Sequence, residues 1–265
     1  MPEMLEVEAY RRLAEQAALG RTISSINASD AWYLKRGLQA FRLDVLLGGQ
    51  FVAARRRGKL LLLSTQLDGG EEGPVLGLRF GMSGRLVVDG TPGVEELWYS
   101  YNGSQPKYER FGVGFEDGGR LSVRDPRRLG GVEMSPAEER IGLDAAEITL
   151  GQLAQALSTS KAPLKARLMD QAHVAGIGNL LADEVLWRAG LSPLRPAGSL
   201  TPADLRRLHR HLRRALVEMA ERGGSHTGDL MPERAPGGMC PRDGRPLRRD
   251  KVGGRTTWWC PAHQR

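Results

Sequence analysis

Only two of the 265 residues are cysteine, at positions 240 and 260. That excludes a disulfide scaffold, and a chain of this length can bury enough apolar surface not to need one. No run of about 18 apolar residues occurs, and no charged start leads into an apolar stretch, so the sequence predicts neither a membrane span nor a secretory signal. A cytosolic protein with reduced thiols is expected, in which a lone pair of cysteines marks a site. Acidic residues fall short of basic ones: the formal charge is +7 and the pI about 9.8. This balance favours a polyanionic partner such as nucleic acid or an anionic membrane surface. From Cys240 to Arg265 seven basic residues face two acidic ones, although a solvated basic tail would show the same excess.

Near the N-terminus, "EVEAYRRLAEQAALG" places Val7, Tyr10, Leu13, Ala14 and Ala17 on one helical face, with Gly20 as a stop. From there to about residue 135 the pattern changes to short β-type runs, "QFVAA", "KLLLLS", "VLGLRF", "RLVV" and "RLSV", broken by "RRRGK", "GMSG", "DGTPG" and "EDGGR". This half reads as an antiparallel sandwich or barrel. Beyond it the period is helical again. Thr201 and Pro202 open a helix with Leu205, Leu208, Leu212, Ala215, Leu216 and Met219 inward and its arginines largely on a solvated face. A Gly/Pro-rich stretch then leads to the tail.

Three constellations carry chemistry. In "MPEMLEVE", removal of Met1 would make Pro2 a free secondary amine with a pKa of about 8. Such an amine can attack a sugar aldehyde carbon, giving an iminium that acidifies the neighbouring carbon. Glu3 is next in the chain and suited to proton transfer; the same octet would serve equally as an acidic first helical turn. In "VAGIGNLLADEVLWRAG", Gly176 and Gly178 allow a tight turn and Asn179 starts a helix ended by Gly190, an arrangement that offers amides to a phosphate or simply caps the helix. The tail has Cys240-x-x-Asp243 and Cys260-x-x-His263 around a hairpin, "DKVGGRTTWW", with Arg255 near its turn. Two knuckles of this spacing suit one tetrahedral zinc; the alternatives are an empty hairpin braced by Trp258 and Trp259, or a Cys240–Cys260 disulfide.

These features in this order resemble the bacterial formamidopyrimidine-DNA glycosylase / endonuclease VIII family over nearly the whole chain. Its pattern begins "MPELPEVE", contains "RRGK", "LGMSG", "DPRRFG" and "VxGIGNxYADExLxxAGIxP", and closes with "CPxCQ". This chain reads "MPEMLEVE", "RRRGKLLL", "FGMSGRL", "RDPRRLGG", "VAGIGNLLADEVLWRAGLSP" and "CPAHQ". The resemblance implies an α+β multidomain protein: an N-terminal β-sandwich with an N-terminal helix (1–135), a helix-two-turns-helix domain (136–235) and a zinc-finger hairpin (236–265), with DNA held between the halves. It implies a bifunctional glycosylase and AP lyase, with Pro2 as Schiff-base nucleophile, Glu3 as general acid/base and Glu6 in support. Lys59, Asn179 and Arg255 match positions that grip the phosphates flanking the lesion. Met82, Arg127 and the position of Leu129 match the side chains that fill the gap left by an extruded base. Cys240, Asp243, Cys260 and His263 would bind one structural zinc. The implied partner is damaged double-stranded DNA, the implied state a monomer.

Four positions depart from the pattern. Leu5 stands for a proline, Arg79 for a histidine, Leu129 for the phenylalanine wedge, and "GGSHTGDLMPERAPGGM" is shorter than its counterpart and lacks an aromatic strand. Three readings follow: an enzyme for oxidised purines, a relative specialised for oxidised pyrimidines or bulky lesions, and a damage-binding protein without catalysis.

Overall fold

The apolar repeat of the N-terminus becomes α1 (Met4–Ala17) in a computed structural model that describes residues 2–95, 97 and 105–265. Met1 lies outside the described residues. Val7, Tyr10 and Ala14 are buried, and Gly20 follows at φ +72°, where any other L residue would be strained. The chain divides into two compact units, one of Pro2 with Glu6–Glu138, the other of Glu3–Leu5 with Glu139–Arg265.

In the first unit the strands are β1 (Ile23–Asn27), β2 (Gln50–Arg57), β3 (Leu60–Gln66), β4 (Leu76–Arg79), β5 (Arg85–Val88), β6 (Thr91–Pro92), β7 (Glu109–Phe115), β8 (Arg120–Arg124) and β9 (Gly131–Met134). They form two antiparallel sheets, ordered β1-β7-β8-β5-β6 and β2-β3-β4-β9. Alternate residues from each sheet meet in one core, Leu61, Leu63 and Leu78 from one and Leu86, Phe111 and Val123 from the other, joined by Tyr10 of α1. The expected break "RRRGK" is narrower than anticipated. The arginines continue β2 as far as Arg57, opposite Leu60, and only Gly58 and Lys59 turn; Gly58 supplies the positive φ, +57°, that a two-residue hairpin needs.

The second unit contains β10 (Leu143–Asp144) paired in parallel with β11 (Val174–Ala175), then α2 (Leu150–Ser158), α3 (Leu164–Leu168), α4 (Asn179–Ala189) and α5 (Pro202–Glu221), and the hairpin of β12 (Arg248–Val252) and β13 (Arg255–Trp259). Thr149 with Gln152 and Thr201 with Asp204 form capping boxes at α2 and α5. Leu208, Leu212, Ala215 and Met219 of α5 pack against Leu181, Val185 and Leu186 of α4 in one core, and Gly190 at φ +64° ends α4.

The hairpin is joined to the helices by charge as well as by packing. Lys165 of α3, fully buried, lies 2.7 Å from Asp183 of α4 and donates to Thr257 Oγ1 at 2.8 Å and Thr256 O at 3.2 Å. The other Asp183 oxygen accepts from Arg234 at 2.8 Å and from the Trp258 N–H at 3.3 Å. Burial pushes the Lys165 ammonium below the usual lysine range against the pull of Asp183. Removing either partner would strand a buried charge, at a cost of about 3–5 kcal/mol.

Candidate active site and metal centre

Pro2 is buried and Glu6 is 3% exposed on the first turn of α1. Lys59 is half-buried in the β2–β3 turn. Two further loops of the first unit are tied to each other. Asp125, fully buried at the end of β8, accepts a hydrogen bond from the Ser83 hydroxyl. It also accepts from the N–H groups of Arg127 at 3.2 Å and Gly130 at 2.8 Å. One carboxylate thereby fixes "GMSG" against "DPRRLGG", bringing together the segments that present Met82, Arg127 and Leu129. Leu129 is 51% exposed. The fit is close: a Cβ on Gly81 would lie 2.4 Å from the Leu129 carbonyl carbon. Arg79 pairs with Glu133 at 2.6 Å across β4 and β9.

In the second unit the N-terminus of α4 differs from the phosphate cradle that its glycines suggest. Its first amides hold a carboxylate of the chain itself. The N–H groups of Gly178, at 2.9 Å, and Leu181, at 3.2 Å, donate to Glu3 Oε2, and that of Leu180, at 2.8 Å, to Oε1. Glu3 is fully buried, and the helix dipole favours its negative charge. Gly178, with backbone in the extended region, is the N-cap, and Asn179 is the first helical residue. The Asn179 Oδ1 is buried without a hydrogen-bond partner among the described residues, an arrangement that a native structure tolerates at functional sites. Arg255 is exposed beside the turn of the hairpin, where Gly253 and Gly254 have φ of +56° and +74°. Lys59 and Arg255 thus stand at hairpin turns of separate units.

The tail brings all four of its predicted ligands together. One donor atom from each of Cys240, Asp243, Cys260 and His263 lies within 4.8 Å of the others. Both cysteines are free thiols. Cys240 Sγ is 3.6 Å from His263 Nδ1, Asp243 Oδ2 is 3.3 Å from Cys260 Sγ and 3.0 Å from His263 Nδ1. A zinc tetrahedron with Zn–S of about 2.3 Å and Zn–N or Zn–O of about 2.0–2.1 Å has edges of about 3.3–3.8 Å, close to these separations. His263 Nε2 lies 3.3 Å from the Trp187 carbonyl, to which it can only donate. The neutral ring then turns the lone pair of Nδ1 toward the Asp243 carboxylate, and two acceptors face each other across the distance a cation would bridge. Burial pushes the Cys260 thiol up to about 11; a divalent ion supplies the positive charge that ionises such thiols. Burial opposes ionisation of Asp243 as well, but hydrogen bonding, first of all from the Arg245 N–H, holds it well below the usual carboxylate range. The donor set fits a divalent metal.

Sequence reasoning overlooked the carboxylates that hold these parts in place. Asp125 and Ser83 lie inside the quoted "RDPRR" and "GMSG", and Asp183 inside "ADE". For Asp183 the available signal was an acidic residue in a largely apolar helix, which demands a buried partner; Asp125, between Arg124 and Pro126, offered none.

Residues 1–132 match the model of the formamidopyrimidine-DNA glycosylase N-terminal domain, and residues 141–230 that of the formamidopyrimidine-DNA glycosylase H2TH domain. A formamidopyrimidine-DNA glycosylase of Thermus thermophilus is 36% identical over the whole chain and 98% of its own length. One from Arabidopsis thaliana is 32% identical, again over the whole chain and over 71% of its own length. Among solved structures, a complex of the Lactococcus lactis Fpg with DNA containing an abasic site is similar with a TM-score of 0.81 and 25% identity over all of both chains. A MutM complex with DNA containing carbocyclic 8-oxo-G is similar with a TM-score of 0.81 and 26% identity over all of both chains.

Proposed function

The chain belongs to the formamidopyrimidine-DNA glycosylase family, DNA glycosylases of base excision repair, and from that premise we propose that it excises an oxidised or otherwise damaged base through Pro2 and then cuts the strand by elimination. The observation that carries this reading is the Glu3 carboxylate, pinned by three N–H groups next in the chain to a proline that processing of Met1 would expose. The Pro2 nitrogen attacks C1′ of the damaged nucleotide, and the glycosidic bond breaks with its electron pair on the base, which takes up a proton. Loss of the amine proton and opening of the sugar ring, with a proton delivered to O4′, leave an iminium between Pro2 and C1′. Glu3 carries these protons. The iminium acidifies C2′–H, so β-elimination expels the 3′ phosphate, and a second elimination expels the 5′ phosphate.

Lys59, Asn179 and Arg255 hold the phosphates beside the lesion, and Met82, Arg127 and Leu129 fill the space of the extruded nucleotide, replacing lost stacking worth a few kcal/mol. The partner is damaged double-stranded DNA, bound by a monomer in the cytoplasm. Residues 1–135 form the catalytic part, 136–235 the helical DNA-binding part and 236–265 the metal-binding hairpin. Zinc on Cys240, Asp243, Cys260 and His263 is structural, since four protein ligands leave no open position; it holds together the base of the hairpin that presents Arg255.

Borohydride trapping on a duplex with one abasic site tests the reading. The native N-terminus should form a covalent complex, a form extended beyond Met1 should not, and Pro2→Gly should trap more slowly. A protein that binds this DNA and never traps is a damage-binding protein or a glycosylase without lyase chemistry instead.

A further inference from the structure

Of the large hydrophobic side chains among the described residues, the most exposed is Trp32, at 67%. Its backbone is nonetheless fixed on both sides. Asp30 accepts from Arg128 Nε at 2.8 Å, and the Arg128 hydrogen bond holds the Asp30 carboxyl below its ordinary range. Tyr33 is buried with its hydroxyl 3.4 Å from Asp125. Leu34 bridges to Val132, and the Lys35 N–H donates to the Val132 carbonyl at 2.8 Å. The segment 30–35 is therefore stitched along 125–132, the stretch that carries Arg127 and Leu129. The two touch so closely that a Cβ on Gly130 would lie 2.2 Å from the Tyr33 hydroxyl and one on Gly131 2.4 Å from Lys35 Cγ.

Lys35 braces the indole itself. Its Nζ donates to the Trp32 carbonyl at 2.6 Å and lies 5.0 Å from the ring centroid. Arg36 and Arg128 are exposed close by in the chain or through Asp30. A rigid aromatic face set among cations is chemistry suited to an unstacked base between phosphates, where stacking and cation–π attraction act together. A protein partner would call for a wider apolar patch with fewer charges.

We propose that Trp32 is a base-stacking residue, which packs on a base left unstacked by extrusion of the lesion, beside the Arg127–Leu129 loop. The inference rests on the DNA-glycosylase reading above. Its test uses the full-length protein, a duplex carrying an uncleavable tetrahydrofuran abasic analogue with 2-aminopurine opposite, and the same duplex without damage. Trp32→Ala should lose about tenfold in affinity for the damaged duplex and less than about twofold for the undamaged one, while Trp32→Phe stays within about threefold of wild type on both. Wild type and Trp32→Phe should quench 2-aminopurine where Trp32→Ala does not, and all three should melt alike. Unchanged affinity of Trp32→Ala for the damaged duplex, or equal losses on both duplexes, overturns the proposal while leaving the function intact. A wild-type protein that neither prefers the abasic duplex nor traps on a natural abasic site overturns both.

Discussion

Glu3 shows how much a single side chain depends on its donors. Both of its oxygens accept backbone hydrogen bonds, so in Glu3→Gln the amide nitrogen must face an N–H donor whichever way it is turned. The substitution preserves size and removes both the charge and the ability to carry a proton. Single-turnover base excision and borohydride trapping should fall by about 100-fold or more, while affinity for an uncleavable abasic duplex changes by no more than about threefold. Equal losses in affinity and rate would assign Glu3 to architecture alone. Leu129 is the corresponding residue on the first unit: an exposed leucine where the family places a phenylalanine, on a loop whose shape is set by Asp125 and not by the leucine itself.

At the scale of elements, the N-terminus of α4 and the C-terminal hairpin each have a single position on which they turn. Gly178 has φ −118°, a conformation any residue adopts, so the need for glycine is steric: a Cβ would lie 2.2 Å from Glu3 Cδ. Gly178→Ala should therefore fold but displace the carboxylate, lowering excision about 100-fold, with the metal content of the hairpin unchanged; excision at the wild-type rate would refute this account. For the hairpin, purified protein should contain one zinc per chain by elemental analysis. Chelation should lower the melting temperature and weaken DNA binding together, since Cys240 and Cys260 pack with Trp187 and Leu230 in one cluster. Asp243→Cys should retain the metal and bind it more tightly, thiolate being the softer ligand; a zinc affinity identical to wild type would exclude position 243 from the coordination sphere.

Across the whole molecule, several carboxylates are held below their ordinary range by arginine or backbone donors. Asp30 is lowered chiefly by its hydrogen bond from Arg128, and Glu218 by its hydrogen bonds from Arg188 and Arg214. In Glu109 and Asp204 burial pushes the other way, but Arg120 and Asn27 in the first, and Thr201 and Arg195 in the second, outweigh it. A carboxyl lowered in the folded state stabilises it fully above the unfolded pKa of about 4, and loses that contribution as the pH falls through the folded value. Melting temperature should be insensitive to these groups above about pH 5 and fall steadily below about pH 4. Asp30→Asn should flatten part of that slope without changing the neutral-pH profile of the other pairs; an acid limb identical to wild type would show that Asp30 does not contribute. No helix among the described residues is long and apolar enough to cross a membrane.

Local features were legible because local physics sets them. The repeat at Val7, Tyr10 and Ala14 determined α1, Thr201 with Pro202 the start of α5, Gly190 the end of α4, and the two-residue gaps of the tail the four ligands that meet there. β1 and β7 were missed because "ISSIN" is polar and "ERFGVGF" is broken by glycine, so neither shows a clean alternation by itself; each gains its definition by pairing with the other. At "GIGN" the sequence suggests a phosphate site, and the structure holds a carboxylate of the chain there. Backbone amides at a helix N-terminus attract an anion whatever its origin, and the sequence places no limit on whether that anion is foreign or its own. Only the fold, by bringing residue 3 to residues 178–181, decided that the charge is Glu3. The same holds for Asp125 and Asp183, whose partners are distant in the chain and come within reach only when the strands and helices have packed.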